Sequence, residues 1–116
     1  MQDENAQPEK RQFPRVSCEL DSLFKDLDND GAGFRFESTI RDISEGGIRF
    51  RANRFIPVHD KLLVTVHVPH RRTLELVAQP AWIREIPSLS QYDIGAKFVS
   101  ISDSDRNLIR QYMQTF

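Results

Sequence analysis

The stretch DLDNDGAGFRFESTIRDI, residues 26–43, decides how the chain folds, because two incompatible readings meet in it. Its first twelve residues spell a calcium loop: Asp26, Asp28 and Asp30 alternate, Gly31 takes the sharp bend and Glu37 takes position twelve. Three features oppose that reading. Position eight, ordinarily a branched apolar residue, is Gly33. The exit from a calcium loop is a helix, yet Phe34, Phe36, Ser38 and Ile40 alternate here with Arg35, Glu37, Thr39 and Arg41, which is the period of a strand. Such loops also work in pairs, and the sequence offers no second one. A β-hairpin turned by Asn, Asp and Gly, residues that tolerate positive φ, explains the same letters.

The hairpin settles its neighbours. In residues 16–27, Val16, Cys18 and Leu20 alternate like a strand, whereas Leu20, Leu23, Phe24 and Leu27 fall at helical spacing. With a hairpin turn following, the strand is expected. Further strands are expected over GIRFRA (47–52), KLLVTVHVP (61–69), LELVAQPAWIREI (74–86) and YDIGAKFVSI (92–101), separated by the turn-like SEGG, NRFIPVHD, HRRT and PSLSQ. Pro80 marks an edge position or a bulge in its strand. The end of the chain changes period. Ser102 or Asp103 caps it, and Leu108, Ile109, Tyr112, Met113 and Phe116 then recur as the apolar stripe of a helix. About six short strands and one helix give a mainly β fold, a six-stranded antiparallel β-barrel with a C-terminal α-helix packed on it or over its mouth.

Composition narrows the function. The 116 residues are enough for one domain, and 28% charged against 39% hydrophobic is a globular balance. Residues 1–9 are polar and read as a flexible arm, leaving 10–116 as a single domain. A net charge of −1 gives no reason to expect nucleic acid or an anionic membrane as a partner, so any anion site must be a local cluster. The apolar runs are too short for membrane insertion, and the N-terminus lacks the apolar core of a secretory signal. With one cysteine, Cys18, no internal disulfide is possible, and a cytoplasmic location is expected.

Two motifs carry the function. RQFPR places Arg11 and Arg15 on an extended segment stiffened by Pro14, with Lys10 beside them. DISEGG supplies Asp42, Ser44 and Gly47. Together they resemble the PilZ domain, whose pattern is R-x-x-x-R followed by [D/N]-x-S-x-x-G, and the later strands and terminal helix are similar to the rest of that domain. The resemblance covers the chain from about residue 10 onward and implies a bacterial six-stranded barrel that binds cyclic di-GMP.

The residue chemistry agrees with such a ligand. A guanidinium matches the paired O6 and N7 acceptors of guanine, stacks on a purine face or grips a phosphate. The resemblance gives Arg11 and Arg15 those roles, with a phosphate contact for Lys10. Asp42 and Ser44, two apart, point the same way if extended, and a carboxylate accepts from guanine N1–H and N2–H. Gly47 lets the chain turn tightly or lets a flat base approach the backbone. The expected protein is a receptor that changes shape on binding and signals to an unidentified effector protein. The resemblance implies outputs in motility, attachment or exopolysaccharide production. The alternative is a ligand-independent interaction domain of the same fold.

Other residues read as structural. His59, His67 and His70 lack the carboxylates or thiols that would complete a metal site. Cys18 reads as a half-buried thiol, and Trp82 as core or barrel surface. Arg41, Arg49, Arg51 and Arg54 make the surroundings of DISEGG locally basic, as solvated strand faces also would. No nucleophile–base pair is visible, so an enzyme is not expected, and no cofactor is implied.

Overall fold

The computed structural model describes residues 14–28 and 33–116. Lys10, Arg11, the arm over residues 1–9 and the hairpin tip at residues 29–32 lie outside the described residues. Six strands are described: β1 Arg15–Asp26, β2 Arg35–Ser44, β3 Gly47–Ala52, β4 Leu62–Val66, β5 Leu74–Ile86 and β6 Gln91–Ser100. They close into a barrel in the order β1-β2-β3-β6-β5-β4, with every pairing antiparallel. One helix, α1 Asp103–Met113, comes after β6.

The segment of conflicting period is a strand. Along β1, Val16, Cys18, Leu20, Ser22, Phe24 and Asp26 turn inward, while Leu23 is only partly covered and Leu27 is exposed. Inward Phe24 explains the choice: its ring stacks on Phe36 of β2 at 5.0 Å and lies 4.2 Å from Phe50 of β3. Aromatic pairs of this kind add ~0.5–1.5 kcal/mol each beyond their buried area. A helix over the same residues would forfeit both the rings and the ladder. The chain leaving the DLDNDGAG turn is strand β2, and Glu37 sits outward on it opposite Leu23. Asp26 is buried and its carboxylate accepts from the Asp28 amide at 3.0 Å, an Asx turn at the base of the hairpin.

Two of the four register shifts among the described strands decide which side chains face outward near the site. In β2, Ile40 faces Phe50 but Asp42 faces Arg49, so Arg41 is the extra residue. In β5, Pro80 faces Ala96 but Trp82 faces Gly95, so Ala81 is extra. Each bulge reverses the phase of the residues after it. Without them, Asp42 would join Ile40 in the core and Trp82 would share the face of Pro80. Ile43 and Ile83 take the inward positions instead, and Asp42 and Trp82 emerge on the outer surface. Pro80 meets both expectations for it, since it adjoins the bulge and lies past the last β4–β5 pair, Leu62↔Ala78.

The helix lies at the end of the barrel where β1 begins and β2 ends. Leu108, Ile109 and Tyr112 join the barrel's apolar core. Ser102 caps it by accepting from the Asp105 amide at 3.0 Å, with Asp103 and Asp105 in the positive first turn. Two ion pairs pin it down: Arg72, between β4 and β5, holds Asp105 at 2.6 Å, and Arg110 holds Glu45, between β2 and β3, through two bonds of 2.8 and 3.0 Å. No helix among the described residues is long and apolar enough to cross a membrane.

Candidate functional site

The site forms on the outer surface where β1, β2, β3, β6 and β5 run side by side. Arg15 begins β1 and pairs with Ser44 at the end of β2; the next outward rung pairs Ser17 with Asp42. Both rungs face outward, so Arg15, Asp42 and Ser44 share one patch.

Ser44 builds the turn beyond it. Its Oγ accepts from the amides of Gly46 at 3.0 Å and Gly47 at 3.2 Å, which leaves the hydroxyl proton for another acceptor. Gly47 then enters β3 opposite Lys97 of β6. A Cβ at Gly47 would run into the carbonyl oxygen of Ala96 and sit 3.1 Å from the Cα of Lys97. The reason for glycine on view here differs from the two expected, a tight turn or a base against the backbone: the backbone of β6 approaches closely.

Asp42 is held from two sides. Ser17 Oγ donates to Oδ1 at 3.2 Å and Arg49 Nε donates to Oδ2. Arg49 also reaches β6, where its Nη1 donates to both oxygens of Asp93 at 3.0 and 3.3 Å. Asp93 is buried and takes a second guanidinium from Arg84 of β5 at 2.9 Å. A polar chain Ser17–Asp42–Arg49–Asp93–Arg84 therefore crosses five strands on the outside of the barrel. The Asp42 hydrogen bond, with help from Asp93, keeps Arg49 above the usual arginine value, so it stays charged. Below this patch, burial pushes the Cys18 thiol up to about 11, with the Asp42 charge adding to the effect. That leaves it a neutral, unreactive donor to the Ile40 carbonyl at 3.7 Å.

Beside the patch lies an open groove of about 690 Å³. Arg15, Ser44, Glu45, Gly46 and Gly47 form one wall, Ala81, Trp82 and Gly95 another, and Lys97 and Arg106 add cations. The volume falls in the range of small-molecule sites. Trp82 lies across Gly95, its cross-strand partner, so closely that a Cβ on Gly95 would enter the indole ring. Three cations against the single carboxylate of Glu45, itself tied to Arg110, suit an anionic ligand with aromatic rings.

The groove thus gathers Arg15, Ser44 and Gly47, with Asp42 one rung away from its edge; Arg11 and Lys10 lie outside the described residues. Sequence reasoning did not name Trp82, Lys97 or Arg106 for the site. The signal available for Trp82 was a proline two residues before it in a strand, the mark of a bulge. Lys97 and Arg106 reach the groove by tertiary packing and carry no local signal.

A family model for the PilZ domain matches residues 9–115 of the chain. The chain belongs to the PilZ family. Solved structures of PilZ proteins share its fold. Bacillus subtilis MotI/DgrA, an inhibitor of motility, superposes with a TM-score of 0.76 at 19% identity, over 92% of this chain and 51% of that one. The PilZ domain of YcgR from Escherichia coli, solved with cyclic di-GMP, gives 0.69 at 15% identity over 92% and 91%. The MrkH–cyclic di-GMP complex of K. pneumonia gives 0.72 at 17% identity over 91% and 52%. This PilZ chain spans about half the length of MotI/DgrA and of MrkH. No curated protein matches it in sequence.

Proposed function

We propose that this PilZ protein is a cyclic di-GMP receptor that changes conformation on binding and passes the signal to a partner protein. The observation that carries the reading is the pair of outward rungs, Arg15↔Ser44 and Ser17↔Asp42, beside a basic groove walled by Trp82. The ligand joins two guanines through two phosphodiesters. Arg15, Lys97 and Arg106 supply cations for the phosphates and a fork for O6 and N7, Asp42 accepts from a guanine N1–H and N2–H, and the Trp82 face packs a base. Gly47 lets the wall of that site form. Lys10 and Arg11, outside the described residues, belong to the same proposed ligand set, with residues 1–9 an arm and 10–116 the domain. That two structural neighbours were solved with cyclic di-GMP supports the same ligand here. The role is binding and relay without catalysis, in a bacterial cytoplasm, with an output in motility, attachment or exopolysaccharide production.

Calorimetric titration with cyclic di-GMP tests the reading. Saturable heat is expected, with Arg15→Ala and Asp42→Ala each weakening binding by ~1–3 kcal/mol as a paired base contact is lost. Binding that both variants leave untouched would move the ligand to another surface.

A further inference from the structure

We infer that Arg49 and Asp93, which lie outside both motifs, are positioning residues for base recognition: they fix the carboxylate of Asp42 in the orientation that reads guanine. The inference rests on the cyclic di-GMP reading above. An Asp side chain on an open strand face rotates between staggered positions, and a two-point contact with N1–H and N2–H needs one of them. Ser17 and Arg49 hold one oxygen each, leaving the remaining lone pairs of both for an incoming donor pair. Arg49 can serve as a brace only if it is itself fixed. Asp93 does this, its side chain 2% exposed and its two oxygens bonded to Arg49 and Arg84. It can be buried because two guanidiniums compensate its charge.

The groups facing this brace from each packed strand are Ser17, Asp42, Asp93 and Arg84, so the cations and anions alternate along it. Removing Arg49 leaves Asp42 with Ser17 as its remaining hydrogen-bond partner among the described residues, a single hold that lets it turn. A lysine at 49 offers one point charge and cannot bridge two carboxylates in the plane a guanidinium spans.

A double-mutant cycle decides it, read by calorimetry with two probes, cyclic di-GMP and its inosine analogue, which lacks the N2 amino group. Arg49→Ala weakens cyclic di-GMP binding about tenfold in the wild-type background, and less than about twofold once Asp42→Ala is present, because the brace acts through Asp42. Discrimination between the two probes falls in Arg49→Ala as it does in Asp42→Ala, while Arg49→Lys recovers part of the affinity and little of the discrimination. Asp93→Asn, which keeps an acceptor for Arg49, gives a smaller loss of the same kind. Thermal melts confirm that each variant is folded at the titration temperature. If wild type binds and Arg49→Ala costs the same with or without Asp42, the positioning role is refuted while the ligand reading stands. If wild type binds neither probe, both fall together.

Discussion

Gly47→Ala is the sharpest test of how the site's wall is built. The motif glycine carries no positive φ, so the cost of a side chain there is one of space. A Cβ would overlap the Ala96 carbonyl oxygen and press on the Lys97 Cα at 3.1 Å and the Ala96 carbonyl carbon at 3.2 Å. All three are backbone atoms of β6, which is paired on its other side to β5, so none can swing aside as a side-chain tip would. The Gly47↔Lys97 rung must widen, and the neighbouring bond from the Phe98 amide to the Gly46 carbonyl, 2.9 Å, stretches with it. Overpacking costs ~1–3 kcal/mol and a weakened ladder bond adds about 1 kcal/mol. The alanine recovers ~0.4–1 kcal/mol by restricting the unfolded chain. The net is a destabilisation of about 1–3.6 kcal/mol, or a fall in melting temperature of roughly 4 °C per kcal/mol for a chain of this length. Ligand-free protein is the sample, with urea unfolding monitored by circular dichroism alongside the thermal scan. A Gly47→Ala protein that melts within about 1 °C of wild type and loses only ligand affinity would refute the steric account and return Gly47 to a ligand-contact role.

The charges give two further outcomes. The Arg110 guanidinium, chiefly through its hydrogen bonds, holds the Glu45 carboxyl below its ordinary value of 4.5. Its tie between the DISEGG turn and α1 is therefore fully present above that value and is lost as pH falls through the depressed one. Amide exchange in α1 should accelerate below the ordinary carboxyl range and show no such acid step from this pair in Glu45→Gln; an identical profile in both would contradict it. The Cys18 thiol, raised to about 11 by burial, should react with a maleimide at pH 8 far more slowly than free cysteine, the rate still climbing toward pH 11. A rate that levels off near pH ~8.5 would show an ordinary exposed thiol.

Much of the fold was legible because inward residues repeat with a fixed period. The alternation of Phe34, Phe36, Ser38 and Ile40 identified β2 against the calcium-loop spelling, and the turn it implied resolved β1, whose own letters supported strand and helix alike. The stripe from Leu108 to Tyr112 behaved likewise for α1. The candidate site was legible only where residues cluster in sequence. Arg15 and Ser44 are partners in one rung, but nothing local announces that Trp82, far along the chain from Gly47, lies across the same groove. A bulge decides which face a side chain takes, and one extra residue leaves little trace in the letters. Asp42 illustrates this: simple alternation from Ile40 puts it in the core, and Arg41 turns it out. Arg49 and Asp93 read as ordinary charges of outward strand positions, because pairing between β3 and β6 depends on the closed barrel rather than on either segment alone.

Trp82 is the only tryptophan in the chain and lines the groove, so its indole N–H gives one reporter signal in a nitrogen–proton correlation spectrum. Titrating the labelled protein with cyclic di-GMP tests the central claim most directly. The account predicts that the indole signal moves saturably, together with the amides of Ser44, Gly46 and Gly47, and that Arg15→Ala suppresses the movement at the same ligand concentration. A spectrum unchanged at millimolar ligand, or changes confined to the far end of the barrel around Phe34 and Phe55, would contradict it.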